Sequence, residues 1–364
     1  MTQSVEQKIK VGILGASGYG GAELLRRLLV HPHVTVSGVA SRKFLGQAVS
    51  TCWPQLAGCS DLSFADTDTV ISGCDVLFCA TPHTETAPLV KKALEAGKRV
   101  IDLSADFRLS PEDYAVWYGP HPHPELCDDA VYGLVELHRD ELVGVKPGGA
   151  ELVAVPGCNS TTANLALAPL ATNGLLGQDV IVNVLAGVSG AGRSTALGLH
   201  YPEANENAKP YKVAGTHRHT AEIEDTLGRV QTYGRQVRTR GDFPKPTVSF
   251  TPHLVPMTRG ILATCSTRPE RTGFDDEGLL ELYRDFYRGE KLVTVQADLP
   301  QTKAVYGSDR TVVSVRFDKR SGLVSAFAVT DNLGKGAAGQ AVQAFNVANG
   351  FDETIGLFMQ GVWP

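Results

Sequence analysis

The chain has 364 residues, of which 43% are hydrophobic and 20% are charged, and its formal net charge is -5. This composition excludes the disordered and fibrous classes of protein, and a negative chain without a Lys/Arg cluster is not expected to bind nucleic acid. Because single domains usually span about 100 to 200 residues, we expect two domains.

Cysteine usage and the N-terminal segment predict a cytoplasmic protein. The seven cysteines are an odd number without a C-x-x-C pair or a Cys/His zinc spacing, which favours free thiols in a reducing compartment. MTQSVEQKIK has no apolar core of signal-peptide length, and no stretch reaches the roughly 18 apolar residues of a membrane span. We therefore expect neither a membrane nor a nucleic acid as partner, and a small molecule as substrate.

The chain begins with a predicted strand, a glycine turn and a helix. IKVGILGASGYGGAELLRRLL places an apolar strand before the glycines and an amphipathic helix after them. Gly15, Gly18 and Gly21 have the spacing G-x-x-G-x-x-G, which lets backbone amides approach a pyrophosphate closely. We interpret the loop as nucleotide binding, with a structural turn as the alternative. Its candidate cofactor contacts are Gly15, Ser17, Gly18, Tyr19 and Gly20.

The ends of the next strands supply further candidate contacts. VTVSGVA is followed by Ser41 and Arg42, where an NAD-specific fold usually carries an acidic residue, so we expect a preference for NADP. The alternative is that the basic residues only cap the strand. CDVLFCATPH and KRVIDLSADFRL predict two more buried strands of a doubly wound parallel sheet. The loops after them bring Thr81, Pro82 and Arg108 to the ligand crevice.

The segment DYAVWYGPHPHP superficially resembles a metal site. Prolines beside His121 and His123 hold the chain extended, and no nearby Cys or third His completes a ligand set. We interpret the segment between Asp113 and His123 as a loop and expect no bound metal.

Cys158 lies in the segment VPGCNSTTANLALAPL, between a predicted strand and a predicted helix. It follows an apolar strand and a Pro-Gly turn, and the polar residues 159 to 162 are expected to satisfy free amides of a first helical turn. A sulfur at a helix N-terminus is expected to have a lowered pKa and to react as the thiolate. Most free cysteines are buried and inert, but this position favours a nucleophile.

The segment YKVAGTHRHTAEIEDTL provides the acid/base group that a nucleophilic cysteine needs. If a helix begins near Thr216, His219 and Glu222 share one face, and Glu222 orients an imidazole that serves Cys158. His217 is the second imidazole of the segment. A solvated polar first turn is the alternative.

Two arginines are candidate anion ligands. Arg193 lies in the glycine loop GVSGAGRS, and Arg259 precedes the predicted strand GILAT. Each could bind a carboxylate or a phosphate through two hydrogen bonds, or be a surface charge only.

Taken in order, seven motifs resemble the N-acetyl-gamma-glutamyl-phosphate reductase family, which is related to aspartate-semialdehyde dehydrogenase. They cover nearly the whole chain, although Asn159 stands where many family members carry Tyr. The motifs are GASGYGGAELL, LSADFRL, PGCNSTTA, GVSGAGR, HRHTAEIE, TPHLVPMTRGILAT and DNLGKGAAGQAVQAFN.

The resemblance implies an NADPH-dependent reduction of an acyl phosphate to an aldehyde, with release of phosphate, in arginine biosynthesis. The cysteine would form a thioester, and His219 would be the acid/base group. The residues implied in catalysis are Cys158, His217, His219 and Glu222. Those implied in substrate binding are Arg108, Arg193 and Arg259.

The resemblance also implies an α/β fold with two domains. Residues 1–157, completed by 331–364, would form a Rossmann-type NADP-binding domain. Residues 158–330 would form an α+β catalytic and dimerisation domain with a largely antiparallel sheet, in a homo-oligomer that is a dimer or a tetramer. TVSFTPHLVP, GILATCSTR and a hairpin around Lys319 to Gly322 agree with that sheet. Further implied cofactor contacts are Ser189, Gly190 and Asn332.

Three other functions remain open from the residues alone. One is a homologous reductase in lysine biosynthesis, which acts on aminoadipyl phosphate borne on an acidic carrier protein. Its substrate is one methylene longer, and an enzyme pocket discriminates between two substrates that differ by one methylene by only about 1 to 3 kcal/mol. GVSGAGR and NENAKPYKVAGTHRH resemble the arginine enzyme more closely. Aspartate-semialdehyde dehydrogenase matches less well, because its characteristic Gln after the cysteine is absent. A catalytically silent NADP-binding protein would keep the fold with an unreactive Cys158.

Overall fold

The computed structural model describes residues 8–144, 149–193, 195–234, 244–269, 271 and 273–363. Two seven-stranded sheets organise these residues. The strands of the first sheet are β1 (Ile9–Leu14), β2 (Val34–Ala40), β3 (Phe64–Ala65), β4 (Val76–Cys79), β5 (Arg99–Asp102), β6 (Ala130–Tyr132) and β7 (Leu152–Ala154). The helices connecting them are α1 (Tyr19–Leu28), α2 (Val49–Cys52), α3 (Thr67–Ser72), α4 (Ala87–Glu95), α5 (Pro111–Tyr118) and α6 (Val135–Val143).

The first sheet is parallel throughout, in the order β3-β2-β1-β4-β5-β7-β6. All four residues of β4 are buried, as expected for a strand covered by helices on both faces. Helix α1 buries Leu24, Leu25 and Leu28 against the sheet. The strand order reverses between β1 and β4, and such a switch point opens a ligand crevice at the carboxyl edge. The expected Rossmann-type sheet is confirmed.

The second sheet is mixed, in the order β12-β13-β14-β11-β8-β10-β9. Two neighbouring pairs, β8 with β10 and β12 with β13, are parallel, and the other pairs are antiparallel. Its strands are β8 (Asp179–Gly187), β9 (Lys209–Pro210), β10 (Thr247–Val255), β11 (Ile261–Thr267), β12 (Val293–Val295), β13 (Thr311–Asp318) and β14 (Leu323–Thr330). The accompanying helices are α7 (Cys158–Thr172), α8 (Tyr201–Ala204), α9 (His219–Tyr233) and α10 (Asp276–Phe286).

One face of the second sheet forms a core with α7, α9 and α10. The predicted hairpin is confirmed, since β13 and β14 pair antiparallel around a turn that ends at Gly322, whose φ is +71°. The other face is left uncovered at its centre: along β8, Ile181, Asn183 and Leu185 alternate as exposed residues with buried ones.

After β14 the chain returns to the first sheet. A π-helical turn, Gly334–Ala338, leads into α11 (Gly339–Ala348), which packs against α1 and α6. Within this turn Lys335 is fully buried and forms an ion pair of 2.6 Å with Glu136 of α6. The pair ties the returning segment to the first sheet, as burial of either charge alone would be costly.

The segment between Asp113 and His123 was expected to be a loop, and this is wrong for its first half. Helix α5 ends at Tyr118, and Ser110 caps its start by accepting a hydrogen bond from the Asp113 amide. His121 Nε2 donates to the Asp106 carbonyl at 2.7 Å. Within the described ranges, no group of three His, Cys, Asp or Glu side chains has the geometry of a metal site.

None of the helices in the described part of the chain is long and apolar enough to span a membrane. All seven cysteines are free thiols, as predicted.

Candidate active site

A cleft of about 840 Å³ lies where the carboxyl edge of the first sheet meets the second sheet's domain. It collects most of the side chains and loops that the sequence analysis singled out. These are Gly18, Tyr19, Gly20, Thr81, Pro82, Arg108, Cys158, Ser189, Gly190, Arg193, His217, His219 and Asn332. The candidates that do not line it are Gly15, Ser17, Ser41, Arg42, Glu222 and Arg259.

Cys158 is the first residue of α7, and Gly157 is the N-cap without a side-chain hydrogen bond. The expectation that residues 159 to 162 cap the helix is wrong, because they lie inside it; Thr162 Oγ1 donates to the Cys158 carbonyl instead. The first amides of a helix have no intrahelical acceptor. The first amides of α7 therefore lie beside the Cys158 sulfur. A carbonyl group attacked by that sulfur would need hydrogen-bond donors for its oxygen at this place.

Gly157 allows two cationic or basic side chains to approach the cysteine. A Cβ atom at this position would lie 2.4 Å from His219 Nε2 and 2.8 Å from Arg108 Nη1. No other residue type fits without displacing them. The glycine thus brings an imidazole and a guanidinium to the residue next to Cys158.

Glu222 does not orient an imidazole, contrary to expectation. Its carboxylate accepts from the Gly157 amide and the Tyr132 hydroxyl, both at 2.7 Å, and from Arg108 Nη1 at 3.4 Å. Helix α9 begins at His219 and not near Thr216, so Glu222 lies one turn into it. The buried carboxylate therefore positions the turn before Cys158 and the Arg108 side chain.

The two histidines form a pair. His217 Nδ1 accepts from the His219 amide at 3.1 Å, and the ring centroids lie 4.8 Å apart, edge to face. His219 Nδ1 is buried and has no hydrogen-bond partner among the described residues. A buried donor or acceptor of this kind calls for a ligand or a water molecule.

The protonation states differ from the expected thiolate. Burial raises the pKa of Cys158 to about 11, although the Arg108 charge and the Asn159 amide oppose this. Burial, with Arg108 nearby, lowers the pKa of His219 to about 3, and burial beside His219 lowers that of His217 to about 3. The expectation of a lowered thiol pKa is therefore wrong for the free protein. At neutral pH the site holds a thiol beside neutral imidazoles that can accept its proton.

The three candidate arginines lie in different places. The Arg108 side chain is 9% exposed, its Nη2 donates to the Leu103 carbonyl at 2.8 Å, and its Nε has no described partner. Arg193 Nη1 donates to the Ser17 carbonyl at 2.8 Å, and its guanidinium lies 4.7 Å from the Trp53 ring centroid. Only Arg108 stands beside Cys158, whereas Arg193 lies on the glycine loop.

Arg259 is committed to ion pairs outside the cleft, with Glu23 of α1 at 3.2 Å and Asp331 at 2.9 Å. These contacts join the loop before β11 to the first domain. We therefore do not retain Arg259 as a substrate ligand.

The glycine loop fits a dinucleotide. Gly15 has a φ of +76°, and a Cβ on it would lie 2.4 Å from the Ala80 carbonyl oxygen. Gly18 is the N-cap of α1 without a side-chain hydrogen bond, so the first amides of the helix stay free for a pyrophosphate. Ser41 Oγ donates to Ser17 Oγ at 2.8 Å beside this loop.

Two further predicted cofactor contacts have different surroundings. Arg42 is exposed and pairs with Glu85 at 2.9 Å, away from the cleft. Asn332 donates from Nδ2 to Ser189 Oγ at 2.9 Å and accepts from the Gly260 amide at 2.8 Å. The loop that carries Ser189 and the returning segment are thereby held together at the floor of the cleft.

Several cleft residues escaped the sequence analysis. They are Tyr118, Tyr211, Lys212 and Arg218. Tyr211, Lys212 and Arg218 lie in the segment YKVAGTHRHTAEIEDTL, which was singled out for its histidines. The positive charges of Lys212 and Arg218 were the available signal that this segment faces a binding site.

Two family models match the chain. The model of the semialdehyde dehydrogenase NAD binding domain matches residues 10–145, and that of the semialdehyde dehydrogenase dimerisation domain matches residues 158–332. The N-acetyl-gamma-glutamyl-phosphate reductase of Thermus thermophilus is 52% identical over 355 residues, covering 97% of this chain and 100% of that protein. The same-named protein of Desulforudis audaxviator is 46% identical over 363 residues, covering 98% and 100%.

Solved structures show the same fold at lower identity. Aspartate semialdehyde dehydrogenase II of Vibrio cholerae, complexed with ASA, has a TM-score of 0.68 and 19% identity, covering 94% of this chain and 98% of that chain. Aspartate semialdehyde dehydrogenase of Candida albicans, with NADP, has a TM-score of 0.68 and 18% identity, covering 94% and 99%. These likenesses support the two-sheet architecture described above.

Proposed function

The chain belongs to the N-acetyl-gamma-glutamyl-phosphate reductases of the semialdehyde dehydrogenase family, and from this we propose the reaction and its residues. It reduces N-acetyl-L-glutamyl 5-phosphate with NADPH to N-acetyl-L-glutamate 5-semialdehyde and phosphate, in arginine biosynthesis. The observation that supports the assignment of residues is the convergence of His219 and Arg108 on Gly157, directly before Cys158.

The first half of the reaction is acyl transfer. His219 accepts the thiol proton of Cys158, and the sulfur attacks the acyl carbon of the substrate. The bond from that carbon to the phosphate oxygen breaks, which leaves a thioester on Cys158. Phosphate departs with the proton from His219, while Arg108 binds its charge.

The second half is reduction of the thioester. When bound, NADPH supplies the hydride that adds to the thioester carbon. The first amides of α7 stabilise the oxygen that becomes negative, and its collapse breaks the carbon–sulfur bond and releases the semialdehyde. Cys158 then recovers a proton from solvent through His219. His217 supports this transfer by accepting from the His219 amide.

Glu222 is a positioning residue in this proposal. Its carboxylate holds the Gly157 amide at 2.7 Å and meets Arg108 Nη1 at 3.4 Å. It therefore sets both the turn that presents Cys158 and the guanidinium that binds phosphate.

The proposed cofactor-binding residues fall into groups that contact different parts of NADPH. The glycine loop, with Gly15, Ser17, Gly18, Tyr19 and Gly20, holds the pyrophosphate in this proposal. Ser41, next to Ser17, faces the adenosine ribose, and Arg193 reaches the same loop from the second domain. The remaining proposed contacts, toward the nicotinamide, are Thr81, Pro82, Ser189, Gly190 and Asn332. Arg42 reaches the adenosine phosphate only if it leaves Glu85.

The packing of the helices supports a division of the chain into two domains. We propose that residues 1–157 and 331–364 form the NADP-binding domain, and that residues 158–330 form the catalytic and dimerisation domain. Helix α11 packs against α1 and α6, whereas α7 lies in the core beneath the second sheet. The free thiols favour a cytoplasmic location for the enzyme.

The substrate assignment is tested by phosphate-dependent reduction of NADP⁺ by the wild-type protein. N-acetylglutamate semialdehyde is expected to be turned over much faster than the aminoadipate semialdehyde analogue. Faster turnover of the analogue would instead assign the enzyme to lysine biosynthesis. Binding of NADP⁺ without turnover of either compound would support a catalytically silent protein.

The chain forms a homo-oligomer through its dimerisation domain, and we propose a dimer that pairs the uncovered faces of two second sheets. Ile181 and Leu185 are exposed at the centre of that face, on the inner strand β8. Apolar side chains in the middle of a polar sheet face are typical of an interface.

Replacing Leu185 with Arg is expected to weaken dimerisation by roughly 100-fold or more, because it buries an unpaired charge in the contact. Analytical ultracentrifugation over a concentration series measures this change. Val116→Arg, at an exposed apolar position of α5, is the matched control and should leave the dimer intact. An unchanged dimer in Leu185→Arg would place the interface elsewhere.

A further inference from the structure

A network of charged side chains outside the cleft joins α1 to the loop before β11. Glu23, one turn into α1, accepts from Arg27 of the same helix at 2.6 Å. From the loop, Arg259 donates to Glu23 through both terminal nitrogens, each at 3.2 Å. The Nε atom of Arg259 lies 2.9 Å from Asp331, which follows β14. One guanidinium therefore holds both α1 and the segment that returns to the first sheet.

The network is shielded from solvent. The side chain of Asp331 is fully buried, and those of Glu23 and Arg259 are only 13% and 14% exposed. Burial by itself would raise the pKa of Glu23, but the charge of Arg27 and the hydrogen bond of Arg259 lower it to about 2, so the carboxylate is ionised at neutral pH. A shielded carboxylate bound through two parallel hydrogen bonds has a more closely defined geometry than an exposed ion pair.

Asp331 also holds the backbone around it. Its carboxylate accepts hydrogen bonds from three backbone amides, those of Gly307 at 2.6 Å, Leu333 at 2.9 Å and Gly334 at 3.1 Å. Together with Arg259, these donors engage both oxygens of the carboxylate. The start of the π-helical turn therefore has little freedom, and Asn332, the next residue, has a set position.

The backbone beside Arg259 holds the loop that carries Ser189. The Ser189 amide donates to the Thr258 carbonyl at 3.1 Å, and the Gly187 amide donates to the Gly260 carbonyl at 2.9 Å. A Cβ atom on Gly187 would lie 2.9 Å from the Arg259 backbone nitrogen, so the two segments are in direct contact. Movement of Arg259 would therefore displace the Ser189 loop.

The cofactor of the proposed reaction takes its contacts from both ends of this network. Its pyrophosphate is proposed to lie at the first amides of α1, and its nicotinamide beside Ser189 and Asn332. These two groups are several bonds apart in one molecule, so both fit only if α1 and the loop lie at a set distance. Glu23 belongs to α1, and Arg259 is joined to the segments of Ser189 and Asn332. Their ion pair bridges that distance.

We propose that Arg259 is a positioning residue for the nicotinamide: through Glu23 and Asp331 it sets the distance between the pyrophosphate end of α1 and the contacts at Ser189 and Asn332. This inference rests on the proposed function and extends it to the geometry of hydride transfer. Arg259 does not line the cleft, so it acts through its neighbours.

The test compares a whole cofactor with one that lacks the nicotinamide. Calorimetry measures the binding of NADPH and of 2′-phospho-ADP-ribose to the wild-type protein and to Arg259→Met. The variant is expected to bind NADPH roughly 5- to 20-fold more weakly, because its nicotinamide contacts are no longer pre-organised. Its affinity for 2′-phospho-ADP-ribose should change less than about twofold. Arg259→Lys should recover part of the loss, since it restores the charge without the two parallel hydrogen bonds.

A merely structural role would weaken both ligands alike. Equal losses for the two ligands in a folded variant, judged by circular dichroism, overturn the inference, as does an unchanged affinity for NADPH. Arg259→Lys repeats the comparison if Arg259→Met does not fold. Arg26→Met is the matched control, because Arg26 binds the same Glu23 carboxylate at 2.8 Å from within α1. It should leave both affinities within about twofold of the wild type.

A double-variant comparison tests the ion pair itself. Glu23→Met is expected to show the same selective loss of NADPH affinity as Arg259→Met. The double variant should lose little more than either single variant, because each change breaks the same contact. Losses that add in full would mean that the two residues act independently, and would contradict the proposal.

Turnover separates the inference from the proposed reaction. In the oxidation of N-acetylglutamate semialdehyde, Arg259→Met is expected to lower kcat roughly 10-fold, with the KM for phosphate changed less than about twofold. Semialdehyde deuterated at the aldehyde carbon should give an isotope effect on kcat at least as large as that of the wild type, because the slowed step is hydride transfer. A smaller effect would overturn the inference. If the wild-type protein did not turn over the semialdehyde, the proposed function would fail, and the binding comparison would still decide the role of Arg259.

Discussion

Replacing Cys158 with serine is expected to lower phosphate-dependent turnover of N-acetylglutamate semialdehyde on the order of 10⁴-fold or more. A serine hydroxyl is a far weaker nucleophile than a thiolate, and no other described cysteine lines the cleft. The Kd for NADP⁺ should change less than about twofold, because Cys158 lies outside the glycine loop.

Steady-state turnover and NADP⁺ titration on the same preparations check this result. Cys59→Ser, at an exposed cysteine, is the matched control and should retain full activity. Activity of Cys158→Ser near that of the wild type would rule out the thioester route. Loss of NADP⁺ binding together with turnover would indicate a misfolded variant, and thermal unfolding distinguishes this case.

Replacing His219 with Gln is expected to lower kcat by roughly 10²- to 10⁴-fold near neutral pH, the usual range for loss of a general base. The pH dependence of the loss follows from the two pKa values. His219, with a pKa of about 3, is already neutral near pH 7 and able to accept a proton. Cys158, with a pKa of about 11, is a thiol there, and its thiolate fraction rises as pH increases toward 11.

The variant must rely on thiolate formed without the imidazole, so its kcat should rise about tenfold per pH unit between about pH 6 and 9. The wild type should stay nearly flat over this range, because His219 removes the proton during attack. Rate profiles of both proteins measure the difference, with the exposed His200→Gln as control. Parallel profiles for wild type and variant would exclude His219 as the base.

Features that depend on near neighbours in the chain were predictable. The glycine spacing at residues 15 to 21 encodes a turn at which a β-carbon would collide with backbone, and the structure has that turn. The hairpin at residues 319 to 322 and the strand that ends before Cys158 are likewise encoded by short apolar runs and turn residues. The motif order then identified the family, and the comparisons confirm it.

Contacts between distant segments were not predictable in this way. Glu222 bonds to Gly157, 65 positions away, and not to an imidazole. Arg259 pairs with Glu23, 236 positions away, and Arg193 reaches Ser17, 176 positions away. Each of these contacts forms only when distant segments of the chain pack together. A local pattern of residues therefore does not predict which side chains will meet.

By itself the sequence determined the fold class and the family, and it predicts the nucleophile and the histidine segment, because periodicity, turn chemistry and motif order are properties of the chain. The tertiary structure alone decided the protonation of Cys158 and His219, the role of Glu222 and the place of Lys212 and Arg218 in the cleft. The physical reason is that a pKa depends on burial and on all nearby charges. Those are set only when the two sheets and their loops have packed together.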